Sequence, residues 1–237
     1  MDTTELKKQA AYEAVKLVRP GMVVGLGTGS TAIWATRRIG ELLAAGELTD
    51  IIGIPTSDAT AREARSLSIP LSTLEAHPHI DLTIDGADEI DPQLNLIKGG
   101  GGALYMERKV ARASKQFIVV ADESKLSPAL GTKFYVPVQV DISQIDLVQG
   151  ELSNLGTAVV RKSGDVIFLT DQGDAIVDLH CGKITNATNL AQTLSQVPGV
   201  KDNGLFLNMT SKVIIAGENG ITLLEGHIKQ DGTSSCT

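Results

Sequence analysis

The chain has 237 residues, 42% of them hydrophobic and 21% charged, enough apolar material for one large domain or a domain with a smaller companion. A formal net charge of −7 with only 3% aromatic residues excludes a broad nucleic-acid footprint, which needs a basic face to release counterions or a run of rings for base stacking. Cys181 and Cys236 have no zinc or redox spacing, the opening MDTTELKK is unlike a signal peptide, and no apolar run approaches the ~18 residues of a membrane span; the expectation is a cytoplasmic protein with no membrane or nucleic-acid partner.

In chain order, Leu6, Ala10, Ala14, Leu17 and Val18 recur at helical spacing, and Pro20-Gly21 stops that helix. The apolar run 22–26 reads as a buried strand, and GLGTGSTA then opens onto a helix over 34–43. The alternation continues with a strand at 51–55, a helix at 58–67, a strand at 80–84, a helix at 103–113 and a strand at 117–121. Strands alternating with helices predict a parallel sheet covered on both faces. After Lys125 the rhythm changes to VPVQV, a helix over 142–155, and strands AVVRK, VIFLT and AIVDLH separated by Ser163-Gly164-Asp165 and Gln172-Gly173-Asp174. That cluster predicts a separate α+β unit. A helix over 190–196 follows, and strands at 212–216 and 221–224 return to the first sheet. The expected division is therefore 1–129 with 206–237 for a Rossmann-like domain and 130–205 for a smaller α+β, ferredoxin-like domain. The tail QDGTSSCT has little to bury and is expected to be mobile.

Gly27, Gly29 and Ala32 fit a loose dinucleotide pattern, but no acidic residue closes the following strand to hold ribose hydroxyls. Thr28, Gly29, Ser30 and Thr31 suit a phosphate better: glycine lets the backbone approach, the helix start offers unpaired amides, and three hydroxyls add donors. A plain strand-to-helix turn with Ser30 or Thr31 as N-cap and no ligand is the alternative.

Asp85 and Asp88 follow a strand, where open α/β sheets gather ligands, although a DGAD turn is equally a good structural turn. Lys98 precedes Gly99, Gly100, Gly101 and Gly102, a run costly in backbone entropy unless something must approach it. Amides beside a lysine suit an oxygen that gains negative charge during a reaction; a flexible loop with a solvated lysine is the bland alternative. Glu107, taken alone, reads as a surface glutamate. Together these groups supply a carbon base, an oxyanion stabiliser and hydroxyl acid-base groups, which is what an aldose-ketose isomerase requires.

At these residues the sequence resembles ribose-5-phosphate isomerase of the A type. The motifs are ELKK at 5–8, GLGTGST at 25–31, DGADEID at 85–91, KGGGGAL at 98–104, Glu107, ADESK at 121–125, GTKF at 131–134, PVQV at 137–140, PGV at 198–200 and NGLF at 203–206. The resemblance implies interconversion of D-ribose 5-phosphate and D-ribulose 5-phosphate through an enediolate, in the pentose phosphate pathway or carbon fixation. It implies Glu107 as the base, with Lys98, Asp85 and Asp88 as further catalytic groups and Asp85 moving a hydroxyl proton. It places Lys7, Thr28, Gly29, Ser30, Thr31, Asp85, Gly86, Ala87, Asp88, Lys98, Gly99, Gly100, Gly101 and Lys125 at the substrate. It further implies no cofactor and a homodimer or homotetramer. The chain departs from the family pattern at Thr170-Asp171-Gln172-Gly173-Asp174 and at Tyr105 and Met106.

His77, His79, His180 and His227 form no ligand set, so no metal site is expected, and Cys181 has no activating neighbour. The rival readings are a sugar-phosphate sensor, which should carry a DNA-binding module, and an acyl-CoA transferase-like enzyme, which normally needs a longer chain or a partner subunit.

Overall fold

The computed structural model describes residues 2–226; His227, Cys236 and the tail 230–237 lie outside the described residues. The chain opens with α1 (Thr3–Val15), earlier than apolar spacing predicts because the Asp2 carboxylate accepts from Thr4 N and caps the helix. Then come β1 (Val23–Leu26), α2 (Ala32–Ala44), β2 (Ile52–Pro55), α3 (Asp58–Ser66) and β3 (Ile80–Asp85). Two short strands, β4 (Glu89–Ile90) and β5 (Leu96–Ile97), precede α4 (Leu104–Arg112) and β6 (Ser114–Asp122).

The second unit contains β7 (Val136–Val140), α5 (Ile145–Leu152), β8 (Thr157–Val160), β9 (Lys162–Ser163), β10 (Val166–Ile167), β11 (Ala175–His180), α6 (Ala187–Gln196) and β12 (Val200–Asn203). The chain then runs through β13 (Leu205–Phe206), β14 (Lys212–Gly217) and β15 (Gly220–Glu225).

The main sheet has the order β15-β14-β6-β3-β1-β2, with β2, β1, β3, β6 and β14 parallel and β15 antiparallel at the edge. Alternation of side chains along each strand divides its residues between two cores. Ile118 and Val120 of β6, with Ile214 of β14, pack on Leu6, Ala10 and Ala14 of α1. Phe117, Val119, Val213 and Ile215 face the other way, onto Leu104 and Ala111 of α4. The strand order reverses between β1 and β3, so their carboxyl ends frame a crevice.

In the second unit an antiparallel sheet of order β12-β7-β11-β8 carries α5 and α6 around Val136, Val138, Val140, Val148, Leu152 and Leu194. The path β-α-β-β-α-β with that order is ferredoxin-like.

Several elements differ from the sequence reading. The helix over 142–155 is a 3-10 turn, Ile142–Gln144, capped by Asp141 and followed by the shorter α5. The strand VIFLT reduces to β10, paired with β9 in an exposed hairpin, and to a single bridge from Leu169 to Ala175. AVVRK breaks at Arg161, whose side chain turns away to bond elsewhere. β4, β5 and β13, two residues each, are too short for periodicity to reveal, and β12, VKDN, has a single apolar residue.

Candidate active site

Gly27, Thr28 and Asp85 lie in contact at the crevice because glycine removes the one atom that would separate them. A Cβ on Gly27 would stand 2.4 Å from Asp85 Oδ1 and 2.6 Å from its Cα. Asp85 Oδ1 then accepts from Thr28 N at 3.1 Å and Gly86 N at 2.7 Å. Asp85 Oδ2 faces Lys98 Nζ at 3.0 Å, with both side chains almost wholly buried.

Lys98 reaches this position from the end of β5. Its backbone N–H donates to Gly204 O, beside β13, and its ammonium donates to Gly86 O at 2.6 Å. Glu107 arrives from the first turn of α4, where Oε1 stands 3.4 Å from Lys98 Nζ. Glu107 is 4% exposed, and its Oε2 has no hydrogen-bond partner. Gly99 adopts φ +102°, where a side chain would be strained and its Cβ would press within 2.8 Å of Leu104. Gly100 N donates to Asp88 Oδ2 at 2.8 Å.

These charges set one another's protonation. Burial pushes the Glu107 carboxyl up to about 8; Lys98 opposes the rise, while Asp85 and Asp88 add to it. Asp85 is also raised, by burial first and against the pull of Lys98. Burial acts to lower Lys98, yet Asp85, Glu107 and Asp88 together hold it above its ordinary value.

The loop after β1 supplies the opposite wall. Among the described residues no acceptor meets the N–H groups of Gly29, Ser30 or Thr31, which stand at the start of α2 where an anion is favoured. Thr31 takes the N-cap position without using its side chain as a cap. Lys7 of α1 donates to Ser30 Oγ at 3.0 Å, which puts a cation beside those amides. The Thr28 hydroxyl is turned inward to Thr56, Ser57 and Thr60 at 2.7, 2.8 and 3.1 Å, where it braces the loop.

Thr28, Gly29, Ser30, Thr31, Gly86, Ala87, Asp88, Lys98, Gly99, Gly101, Glu107 and Lys125 line one cleft. Asp85 lies behind it against Lys98, Gly100 joins it through Asp88, and Lys7 stands at its rim. A larger groove of about 610 Å³ lies across α4, between Arg108, Arg112 and Lys201. Its buried cation, Arg108, is already satisfied by Asp202 and the carbonyls of Asn203 and Leu205. Buried groups with unspent chemistry lie in the smaller cleft. Among the described residues no cluster of three or more His, Cys, Asp or Glu could hold a metal ion, and no helix is long and apolar enough to cross a membrane.

Sequence reasoning passed over two supports. Glu89, wholly buried, accepts from the backbone N–H groups of Gly131, Thr132, Lys133 and Phe134, clamping the segment that leads into the second unit. Arg161 of that unit donates to Gly99 O at 2.8 Å and Gly100 O at 3.1 Å. Local sequence carries no signal for either contact, since each spans more than 40 residues.

Residues 52–220 match the family Ribose 5-phosphate isomerase A (phosphoriboisomerase A). The ribose-5-phosphate isomerase A of Chloroflexus aurantiacus is 49% identical over 92% of this chain and 93% of that protein. A probable ribose-5-phosphate isomerase 2 of Arabidopsis thaliana is 46% identical over 94% and 87%. Among solved structures, the ribose 5-phosphate isomerase of Plasmodium falciparum superposes with TM-score 0.91 at 41% identity, covering 94% of this chain and 98% of that one. A D-ribose-5-phosphate isomerase in complex with phospho-erythronic acid gives 0.93 at 39%, covering 95% and 100%.

Proposed function

Since the chain belongs to the ribose 5-phosphate isomerase A family and interconverts ribose 5-phosphate and ribulose 5-phosphate, we propose that Glu107 carries the proton between the two carbons. The observation that carries this reading is its carboxylate: buried, lining the cleft, with one oxygen toward Lys98 and the other unpartnered.

Deprotonated Glu107 removes the proton from C2 of the open-chain aldose. The electron pair forms a C1–C2 double bond, and the aldehyde oxygen becomes the enediolate oxyanion. Lys98 and the glycine amides hold that charge. After a proton moves between the two oxygens, Glu107 returns its proton to C1 and the carbonyl stands at C2. No electron leaves the substrate.

Asp85 is less well placed for the hydroxyl proton than the resemblance implies, because it is wholly buried behind the cleft lining, with Oδ1 taken by Thr28 N and Gly86 N and Oδ2 facing the Lys98 ammonium. Asp88 lines the cleft and takes that role; Asp85 fixes Lys98 and the loop. The phosphate rests on the amides of Gly29, Ser30 and Thr31, with Lys7 and Lys125 supplying positive charge. Phospho-erythronic acid, found with a similar structure, has a carboxylate to imitate the enediolate and should compete for this cleft.

The reading extends to a main domain of 1–129 and 206–237 with a smaller domain of 130–205, to a cytoplasmic enzyme, and to a homodimer or homotetramer. Replacing Glu107 by Gln tests the central step: turnover should fall about 10²–10⁴-fold while phospho-erythronic acid still binds. Near-normal turnover would refute the assignment.

A further inference from the structure

We infer that Arg161, on the second unit, is a positioning residue for the isomerisation, aiming the Gly101 N–H at the oxyanion by holding the carbonyls of Gly99 and Gly100. The inference rests on the reading of 98–101 as the oxyanion site.

A trans peptide is planar, and its C=O and N–H point in opposite directions; the described residues contain no cis bond. Arg161 Nη1 draws both carbonyls to one side, Gly99 O at 2.8 Å and Gly100 O at 3.1 Å. The N–H groups of the same two peptides, those of Gly100 and Gly101, must therefore face the other side. For Gly100 the consequence is visible, since its N–H meets Asp88, a cleft residue, at 2.8 Å. The Gly101 N–H has no acceptor among the described residues, and Gly101 lines the same cleft as Lys98 and Glu107. It is a spare donor beside the ammonium.

The glycines cannot hold this arrangement alone. Four in succession have too much conformational freedom to fix two peptide planes, and Gly102 N reaches back only to Gly99 O. Arg161 supplies the missing constraint because it is itself fixed: Nε and Nη2 grip the two oxygens of Asp178 on β11 at 3.0 and 2.5 Å. The rings of Tyr135 and Phe168 each lie 5.8 Å from its guanidinium carbon. A bidentate pair with one free nitrogen suits arginine and no other residue. The second unit thereby sets the geometry of a charge that forms in the first.

The test is steady-state kinetics on Arg161→Met, Arg161→Lys and Asp178→Asn in the full chain, with folding checked by circular dichroism. Arg161→Met should lower kcat about ten- to a hundredfold, less than the ~10²–10³ of a lost oxyanion donor because the amide remains but wanders. KM should stay within about threefold, as expected for a loss confined to the transition state. The ascending pH limb should not move, since Arg161 is bonded to Asp178 and to backbone carbonyls and makes no contact with Glu107. Arg161→Lys, able to meet one carbonyl, should recover part of the rate. Asp178→Asn should show the same split in weaker form, and it decides the matter if Arg161→Met does not fold. Unchanged kcat in Asp178→Asn and in any folded Arg161 variant, or a rise in KM at constant kcat, overturns the proposal. Failure of Glu107→Gln to lose activity would instead overturn the reading beneath it.

Discussion

Glu107 Oε1 stands 3.4 Å from Lys98 Nζ in a pair nearly closed to solvent, yet the Glu107 carboxyl is held at about 8. Proximity to a cation normally favours the carboxylate; here desolvation outweighs it, and Asp85 has the stronger hold on the ammonium at 3.0 Å. A carboxyl poised near working pH is a better base than one at 4.5, because it binds the proton it removes.

The pH dependence follows. Only the deprotonated carboxyl can accept the C2 proton, so kcat/KM should rise through an ascending limb near about 8 and lose tenfold per unit below it. Stability runs the opposite way. The folded carboxyl stays protonated above its ordinary 4.5, so this stabilisation is complete below 4.5 and is lost as pH rises through about 8. Urea midpoints across that window should decline for the native chain and less so for Glu107→Gln; an equal decline would remove Glu107 as the cause.

Removal of the cation should separate two effects. Lys98→Met should cost about 3 kcal/mol of transition-state stabilisation, roughly 150-fold in kcat/KM, if the ammonium serves the oxyanion. Because Lys98 lowers the Glu107 pKa, the limb should also move above 8. A variant with lower rate but an unmoved limb would contradict the assigned coupling.

Gly27→Ala adds a single methyl group against Asp85 Oδ1 and Cα. Asp85 must shift and loosen its hold on Lys98, so a core-like destabilisation of about 1–3 kcal/mol should accompany loss of turnover. Denaturation and kinetics on this one variant check both; unaltered activity would show that Asp85 is dispensable.

Glu89→Gln offers a structural contrast. Its two oxygens serve four N–H groups, and an amide nitrogen in place of one oxygen turns a donor toward donors. Each stranded N–H costs about 1–3 kcal/mol, so urea denaturation should show a marked loss of stability. The pH limb of the remaining folded enzyme should stay where it is.

Addition of a chelator should leave the rate unchanged, given that no described cluster offers three metal-ligating side chains. Activity that returned only with an added divalent ion would overturn the metal-free mechanism.

The alternation of strand and helix was legible because each element buries a face with its own period, and the glycine runs marked where backbone closely meets other atoms. The chemistry of Glu107 was not legible locally: its spacing is that of any helix glutamate, and only burial beside Lys98 changes its character. The inward turn of the Thr28 hydroxyl was hidden for a related reason, since its partners Thr56, Ser57 and Thr60 lie from the end of β2 to the first turn of α3. Arg161 looked like one more strand residue because its partners Gly99 and Gly100 sit some sixty positions away.

Asp88 and Glu89 are neighbours in the chain with opposite destinations, the first to Gly100 at the cleft and the second to the four amides of 131–134. Asp88 lies at the bend just before β4 and Glu89 is the first residue of that strand, so inserting or deleting one residue between Asp85 and Asp88 would take both carboxylates out of register with their partners. That segment should tolerate changes of composition far better than changes of length.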